Sequence, residues 1–169
     1  MNRKFFALLL TLLMVLALVP ASAYADTSKN SGKEIAVLFT NDVHCAVDKN
    51  LGYQSVALAK ETLEAQGKDV LLVDVGDAVQ GDAIGTLSKG EYIIKIMNEL
   101  GYDVATIGNH EFDYGMDQFK KLNRLADFPY VSANFMDKNG ETVLDAYSMQ
   151  NVHGVKIAFV GVTTPKTIT

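Results

Sequence analysis

The sequence has little cysteine and proline, no tryptophan, and no long run of basic residues. Its single cysteine cannot form a disulfide within one chain, so no intramolecular disulfide supports the fold. Acidic side chains outnumber basic ones by 20 to 15, which argues against nucleic acid or an anionic membrane surface as the main partner. The 169 residues, 49% of them hydrophobic and 21% charged, have the size and composition of one packed domain.

The first 25 residues have the three parts of a secretory signal peptide. Arg3 and Lys4 form a short basic segment, residues 5–19 are apolar and uncharged, and Ala23 and Ala25 supply the small residues of a cleavage site. A permanent membrane anchor is the alternative, but 15 apolar residues are fewer than the roughly 20 that a spanning helix needs. We therefore predict cleavage after Ala25 and export to the extracellular, periplasmic or cell-wall space, without a stable membrane anchor.

Removal of residues 1–25 leaves 144 residues and takes away two basic side chains. Thirteen basic and 20 acidic residues remain, so the net charge changes from −5 to −7. Residues 26–33 are small and polar, which is typical of a flexible leader, and residues 34–169 carry the fold. In an exported protein Cys45 is either a free thiol or a partner in an interchain disulfide, and the sequence favours neither.

Apolar strands and amphipathic helices alternate along the chain. Four short apolar runs have the character of strands, at residues 35–40, 70–75, 104–107 and 130–132. Three stretches have helical periodicity, at residues 53–66, 92–100 and 116–126. The first strand, residues 35–40, has the pattern of a strand buried on both faces. This alternation predicts an α/β fold with a mostly parallel sheet flanked by helices.

The C-terminal part of the sequence has a different pattern. Two extended runs, residues 147–152 and 155–162, are separated by His153 and Gly154, which predicts a hairpin with a two-residue turn. No helical stretch follows the second run, although that run is strongly apolar. The predicted fold is therefore incomplete at its C-terminal end.

Polar side chains lie at or just after the ends of three predicted strands. They are Asp42 and His44 for the first strand, Asp74 and Asp77 for the second, and Asn109, His110 and Asp113 for the third. Each one alone is explained by turn formation or helix capping, and Asp42 and His44 project to the same side if the chain there is extended. The carboxyl ends of parallel strands meet at one edge, so we expect one shared site. Its carboxylate and imidazole groups suit divalent zinc, manganese, iron or cobalt, and Asp77 in the middle loop could bridge two ions.

The motifs Asp-x-His at Asp42 and His44, Gly-Asp at Asp77, and Gly-Asn-His-Glu starting at Gly108 resemble those of the calcineurin-like metallophosphoesterases. Their form is similar to the 5′-nucleotidase/UDP-sugar hydrolase/2′,3′-cyclic phosphodiesterase branch, and the resemblance runs from about Ile35 to Pro165. It implies a metallophosphoesterase-type sandwich and hydrolysis of a phosphoester, in nucleotide catabolism. It also implies two divalent metal ions (Mn, Zn, Co or Fe) that activate water and hold the phosphoryl oxygens.

The resemblance also implies roles for individual residues. Asp42 and His44 would hold the first ion, Asp77 would bridge both ions, and Asn109 would bind the second. His110 would not be a ligand; it would stand beside the scissile phosphate as a positively charged acid, with Asp113 orienting its ring. Glu111 and Phe112 would be structural, and Asp74 would support the site or form a turn.

The sequence departs from the family because the later histidine motifs and a separate nucleoside-binding domain are not present in it. It contains three histidines, and the third, His153, lies in the predicted hairpin turn. We therefore predict a secreted phosphoesterase for nucleotides or related small phosphoesters whose site needs further domain residues or a second chain. A noncatalytic exported remnant that keeps the fold and binds one metal ion or none is the alternative, and a nuclease or protein phosphatase is a lesser one.

Overall fold

A computed structural model of the protein describes Gly32, residues 34–49 and residues 51–165. The predicted signal peptide, residues 1–25, lies outside the described residues, as does nearly all of the predicted leader, residues 26–33. Within the part of the chain that the structure describes, no helix is both long enough and apolar enough to cross a membrane.

Strands and helices alternate as the sequence predicts. The strands are β1 (Ile35–Thr40), β2 (Asp69–Asp74), β3 (Val104–Thr106), β4 (Tyr130–Val131), β5 (Tyr147–Val152) and β6 (Val155–Val160). The helices are α1 (Tyr53–Ala65), α2 (Ala83–Ser88), α3 (Glu91–Leu100) and α4 (Met116–Leu125), and a 3-10 turn spans His110–Phe112. Helix α2 is an addition to the three helical stretches that the sequence predicts.

Strands β1 to β4 form one parallel sheet in the order β1-β2-β3-β4. Its register runs from Ile35 beside Asp69 to Thr40 beside Asp74, so β1 and β2 end level with each other. Strands β5 and β6 pair antiparallel in a separate two-stranded sheet. The predicted α/β architecture with parallel strands flanked by helices is confirmed. The strands consequently end at one edge of the sheet, which we call the carboxyl edge.

The core lies between this sheet and the helices. Helix α3 forms because Ile93, Ile94 and Met97 recur on one face, and all three are fully buried. Burial of each such side chain contributes ~1.5–3 kcal/mol relative to leaving it in water. The helix ends at Gly101, which adopts the left-handed conformation with a φ of 68° that glycine accepts without a steric cost.

The predicted hairpin turn is confirmed. Both turn residues, His153 and Gly154, have positive φ values of 49° and 86°, as a tight two-residue turn requires. The second strand ends earlier than predicted, at Val160. Gly161 then packs so closely on the carbonyl oxygen of Val131 that a Cβ on Gly161 would lie 2.0 Å from it.

One expectation for β1 is wrong. The apolar run predicted a strand buried on both faces, but Val37 is 46% exposed and Phe39 is 70% exposed. The cause is that β1 is an edge strand, and within the described residues no layer covers its outer face. Cys45, in contrast, is 1% exposed and its thiol is free.

Candidate metal centre

The loops after β1 and β2 lie side by side at the carboxyl edge. The backbone N–H groups of Asp42 and His44 donate to the carbonyl oxygens of Gly76 and Asp77, at 3.1 and 3.0 Å. The next N–H, that of Cys45, donates to Ala78 at 3.1 Å. These hydrogen bonds extend the pairing of the two strands into their loops, so the polar side chains of both loops are brought together.

Three of the predicted metal ligands at this edge adopt a backbone conformation that non-glycine residues rarely take, as does their neighbour Cys45, with a φ of 63°. Asp42, His44 and Asp77 have φ values of 53°, 47° and 59°. The chain is therefore not extended at the Asp-x-His segment, so the condition under which Asp42 and His44 would project to the same side is not met. Asp42 and His44 nevertheless come together, with Oδ1 of Asp42 at 3.7 Å from Nε2 of His44. Such strain costs ~1–3 kcal/mol per residue and clusters at functional sites.

The ring of His44 is held from one side. Its Nδ1 lies 3.1 Å from the carbonyl oxygen of Gln80, which can only accept, so Nδ1 carries the proton. In the neutral ring Nε2 then has a free lone pair, as a metal ligand requires. This contact depends on Gly81, because a Cβ there would lie 2.1 Å from the carbonyl oxygen of His44.

The carboxylate of Asp77 is held by the loop after β3. Its Oδ1 accepts the backbone N–H of His110 at 2.7 Å. Gly108 makes this approach possible, because a Cβ on Gly108 would lie 2.3 Å from the same oxygen. A Cβ on Gly76 would likewise lie 2.4 Å from the backbone nitrogen of Gly108. Close packing of the two loops therefore explains the glycines of the Gly-Asp and Gly-Asn-His-Glu motifs.

Two buried carboxyl groups lie beneath these loops. Glu111 is 1% exposed and accepts three backbone N–H groups, and burial raises its pKa. Asp74 is 3% exposed and accepts the hydroxyl of Thr40 at 2.7 Å and the N–H of Gly76 at 3.0 Å. Burial raises the pKa of Asp74 to about 7. The sequence interpretation missed the three-donor arrangement around Glu111.

His110 pairs with Asp113, at 2.8 Å between Nδ1 and Oδ2. This hydrogen bond raises the pKa of His110 and favours the charged imidazolium. The rings of His44 and His110 meet edge to face, with their centroids 5.0 Å apart. Asn109 is half-buried and directly precedes the 3-10 turn that carries His110.

Among the described residues, His44, Asp77 and His110 form a group that could hold a metal ion. One ligand atom from each lies within 4.8 Å of the other two. Imidazole nitrogen with carboxylate oxygen is a donor set that divalent transition metals accept, and the free Nε2 lone pair of His44 fits that use. Asp42 contacts His44 but is outside this group, and His110, which the sequence interpretation excluded as a ligand, is inside it.

Comparison with known proteins shows the family of the chain. The family model described as calcineurin-like phosphoesterase matches residues 35–164. The chain belongs to this family. The 5′-nucleotidase of Vibrio vulnificus (strain CMCP6) is 38% identical to this calcineurin-like phosphoesterase over an alignment of 143 residues, which covers 79% of this chain. The 2′,3′-cyclic-nucleotide 2′-phosphodiesterase/3′-nucleotidase of Yersinia enterocolitica is 32% identical over an alignment of 185 residues, which covers 93% of this chain.

A solved structure shares the fold. The NAD nucleotidase of Haemophilus influenzae matches 79% of the calcineurin-like phosphoesterase chain with a TM-score of 0.69 and 29% sequence identity. The chain spans only about a quarter of the relatives' length: 26% of the Vibrio protein, 28% of the Yersinia protein and 27% of the Haemophilus chain. The similarity therefore concerns the phosphoesterase part of these proteins.

Proposed function

We propose that the protein is an exported, two-metal phosphoester hydrolase of the 5′-nucleotidase type, acting on nucleotides or similar small phosphoesters. The observation that carries the proposal is the convergence of His44, Asp77 and His110 within 4.8 Å at the carboxyl edge of a calcineurin-like phosphoesterase fold. Nucleotides are the proposed substrates because the printed names of the relatives describe nucleotidases. Export rests on the signal-peptide pattern of residues 1–25.

In this proposal Asp42 and His44 would hold one ion, Asn109 would hold the other, and Asp77 would serve both. Two such ions would activate a water molecule and neutralise the phosphoryl oxygens. The hydrogen bond from Nδ1 of His44 to Gln80 supports the ligand role of Nε2. The N–H of His110 donates a charge-assisted hydrogen bond to Asp77 and so orients its carboxylate. This reduces the movement that the carboxylate needs when an ion binds.

His110 is proposed as the acid rather than as a ligand. Its hydrogen bond to Asp113 favours the imidazolium, which carries a proton on both nitrogens and has no lone pair for a metal. Nδ1–H donates to Asp113, so Nε2–H is the donor available to the leaving oxygen of the phosphoester. The charge also stabilises the negative charge of the phosphoryl group.

The ligand set of this chain supports one ion better than two. The third histidine, His153, pairs with Asp69 at 2.9 Å, and Asp69 begins β2 at the end opposite the carboxyl edge. We therefore propose that further domain residues or a second chain complete the site. The exposed side chains of Val37 and Phe39 on the outer face of β1 fit such a completion. A noncatalytic exported domain that binds one ion is the alternative that this incomplete ligand set favours.

The test titrates Mn²⁺ into the purified chain and follows phosphate release from a nucleoside 5′-monophosphate. We expect one tight and one weak Mn²⁺ site, both weakened in Asp77→Ala, and unchanged binding in His153→Ala, a matched histidine control outside the site. Binding of one ion or none supports the noncatalytic alternative, and an Asp77→Ala variant that binds like the wild type refutes the metal role. We expect little hydrolysis by the chain alone; rapid hydrolysis that His110→Ala abolishes would contradict the need for completion.

Export is tested separately. Protein recovered outside the cytoplasm of the producing cells is expected to have its N-terminus at Asp26, as measured by mass spectrometry. Retention of residues 1–25 in that material would contradict cleavage after Ala25.

A further inference from the structure

We propose that Glu111 is a positioning residue that sets the backbone of two ligand-bearing loops, and through it the metal affinity of the site. The proposal rests on the proposed function for its consequence, but its geometry stands on the described contacts alone. Glu111 does not need to touch an ion or a substrate for this role, because it acts on the backbone that carries Asp77.

The contacts of Glu111 join the loop after β2 to the loop after β3. Its Oε2 accepts the N–H groups of Asp77 at 3.0 Å and Gly108 at 2.6 Å, and its Oε1 accepts the N–H of Ala78 at 2.9 Å. Two of these donors, the N–H groups of Asp77 and Ala78, lie on either side of the Cα of Asp77, a residue with a φ of 59°. One buried carboxylate therefore satisfies three N–H groups and stabilises a strained residue.

Only a carboxylate fits this arrangement. Both of its oxygens accept, whereas an amide has one accepting oxygen and one donating NH₂ group. In a Glu111→Gln variant the NH₂ group must face at least one of the N–H donors, whichever way the amide is turned. A buried N–H without an acceptor costs ~1–3 kcal/mol. The backbone of Asp77 or Ala78 would have to move toward water to regain a hydrogen bond.

The other contacts of Asp77 do not replace this function. The N–H of His110 holds the side chain of Asp77 at Oδ1, and the N–H of His44 holds its carbonyl oxygen. Neither contact holds the backbone N–H of Asp77 itself. Glu111 is therefore the group that holds that N–H, and it comes from the same 3-10 turn that carries His110.

The first experiment measures Mn²⁺ affinity of the full chain and of Glu111→Gln well below the unfolding temperature. We expect roughly 10–100-fold weaker binding, the usual effect of removing a group that orients a ligand. Two controls separate positioning from other effects. Glu91→Gln removes a carboxylate whose ion pair with Lys121 is remote from the site. Leu122→Ala lowers stability by leaving a cavity in the core. Both are expected to bind Mn²⁺ within threefold of the wild type.

The second experiment needs neither metal nor variant. In the metal-free wild-type chain, amide hydrogen exchange measured by NMR is expected to be slow at Asp77, Ala78 and Gly108, although all three lie in loops. Fast exchange at these amides overturns the proposal, and so does unchanged Mn²⁺ affinity in Glu111→Gln. If the wild type binds no Mn²⁺, the proposed function fails, while slow exchange at the three amides still supports the positioning role of Glu111.

Discussion

Replacement of Asp74 by asparagine should change how the stability of the protein depends on pH. Asp74 is 3% exposed, and burial is the main reason that its pKa rises from 3.8 to about 7. In the unfolded chain the carboxyl group has already lost its proton near pH 5, whereas in the folded chain it keeps the proton up to about pH 7. The folded state therefore binds more protons in this range, and the free energy of unfolding falls as the pH rises.

The size of this effect follows from the pKa difference. One pKa unit corresponds to ~1.4 kcal/mol, and about two units separate pH 5 from the folded-state pKa. The wild type should accordingly lose roughly 2–3 kcal/mol of stability through Asp74 between pH 5 and pH 8. An asparagine has no proton to lose, and it can donate to the hydroxyl of Thr40, which then donates to Tyr102, so the network stays satisfied.

The assay is urea unfolding at pH 5 and pH 8 with EDTA present, for the wild type and for Asp74→Asn. The raised pKa values of His110 and Glu111 act in the same direction, so the difference between the two proteins, and not the wild-type slope alone, isolates Asp74. Asp127→Asn, at an exposed loop residue, is the control and should keep the wild-type slope. Equal slopes for the wild type and Asp74→Asn would refute this account.

Three further predictions concern the site. Asp113→Asn should lower the pKa of His110, because their hydrogen bond is the first cause of its rise; an NMR titration that leaves this pKa unchanged would contradict the pairing. Gly108→Ala should weaken Mn²⁺ binding and cost ~1–3 kcal/mol of stability by overpacking against Asp77, whereas Gly140→Ala, where a Cβ meets nothing within 4 Å, should alter stability alone. Cys45 is buried with a pKa of about 12, so a thiol reagent should modify it only on unfolding, and rapid labelling of the native chain would oppose this.

Much of the fold could be predicted because its elements follow local rules. The alternation of short apolar runs with helical periodicity indicated the parallel sheet, and His153 with Gly154 indicated the hairpin. The exposure of Phe39 could not be predicted in this way. An apolar run shows that a strand can be buried on both faces, but only the arrangement of the other elements decides whether a layer covers each face.

The convergence of the site loops was predictable, and their backbone conformations were not. Strand order places the loops of Asp42, Asp77 and Asn109 at one edge, so the convergence follows from topology. The left-handed conformations of Asp42, His44 and Asp77 do not follow from topology, because each residue is stabilised by contacts from a loop other than its own. For the same reason no sequence pattern indicated the Gln80 carbonyl that orients His44. The nearest signal was Gly81, which has to lack a side chain because the carbonyl oxygen of His44 approaches it closely.

These loop contacts have a consequence for how the site assembles. Asp42 and His44 are held by carbonyl groups of the β2 loop. Asp77 is held by the N–H of His110 and the carboxylate of Glu111, both from the 3-10 turn after β3. Strained φ values persist only where such surroundings over-determine them. The contacts that hold His44, Asp77 and His110 together thus come from residues 40–113, so these side chains can be oriented without the outer face of β1 being covered.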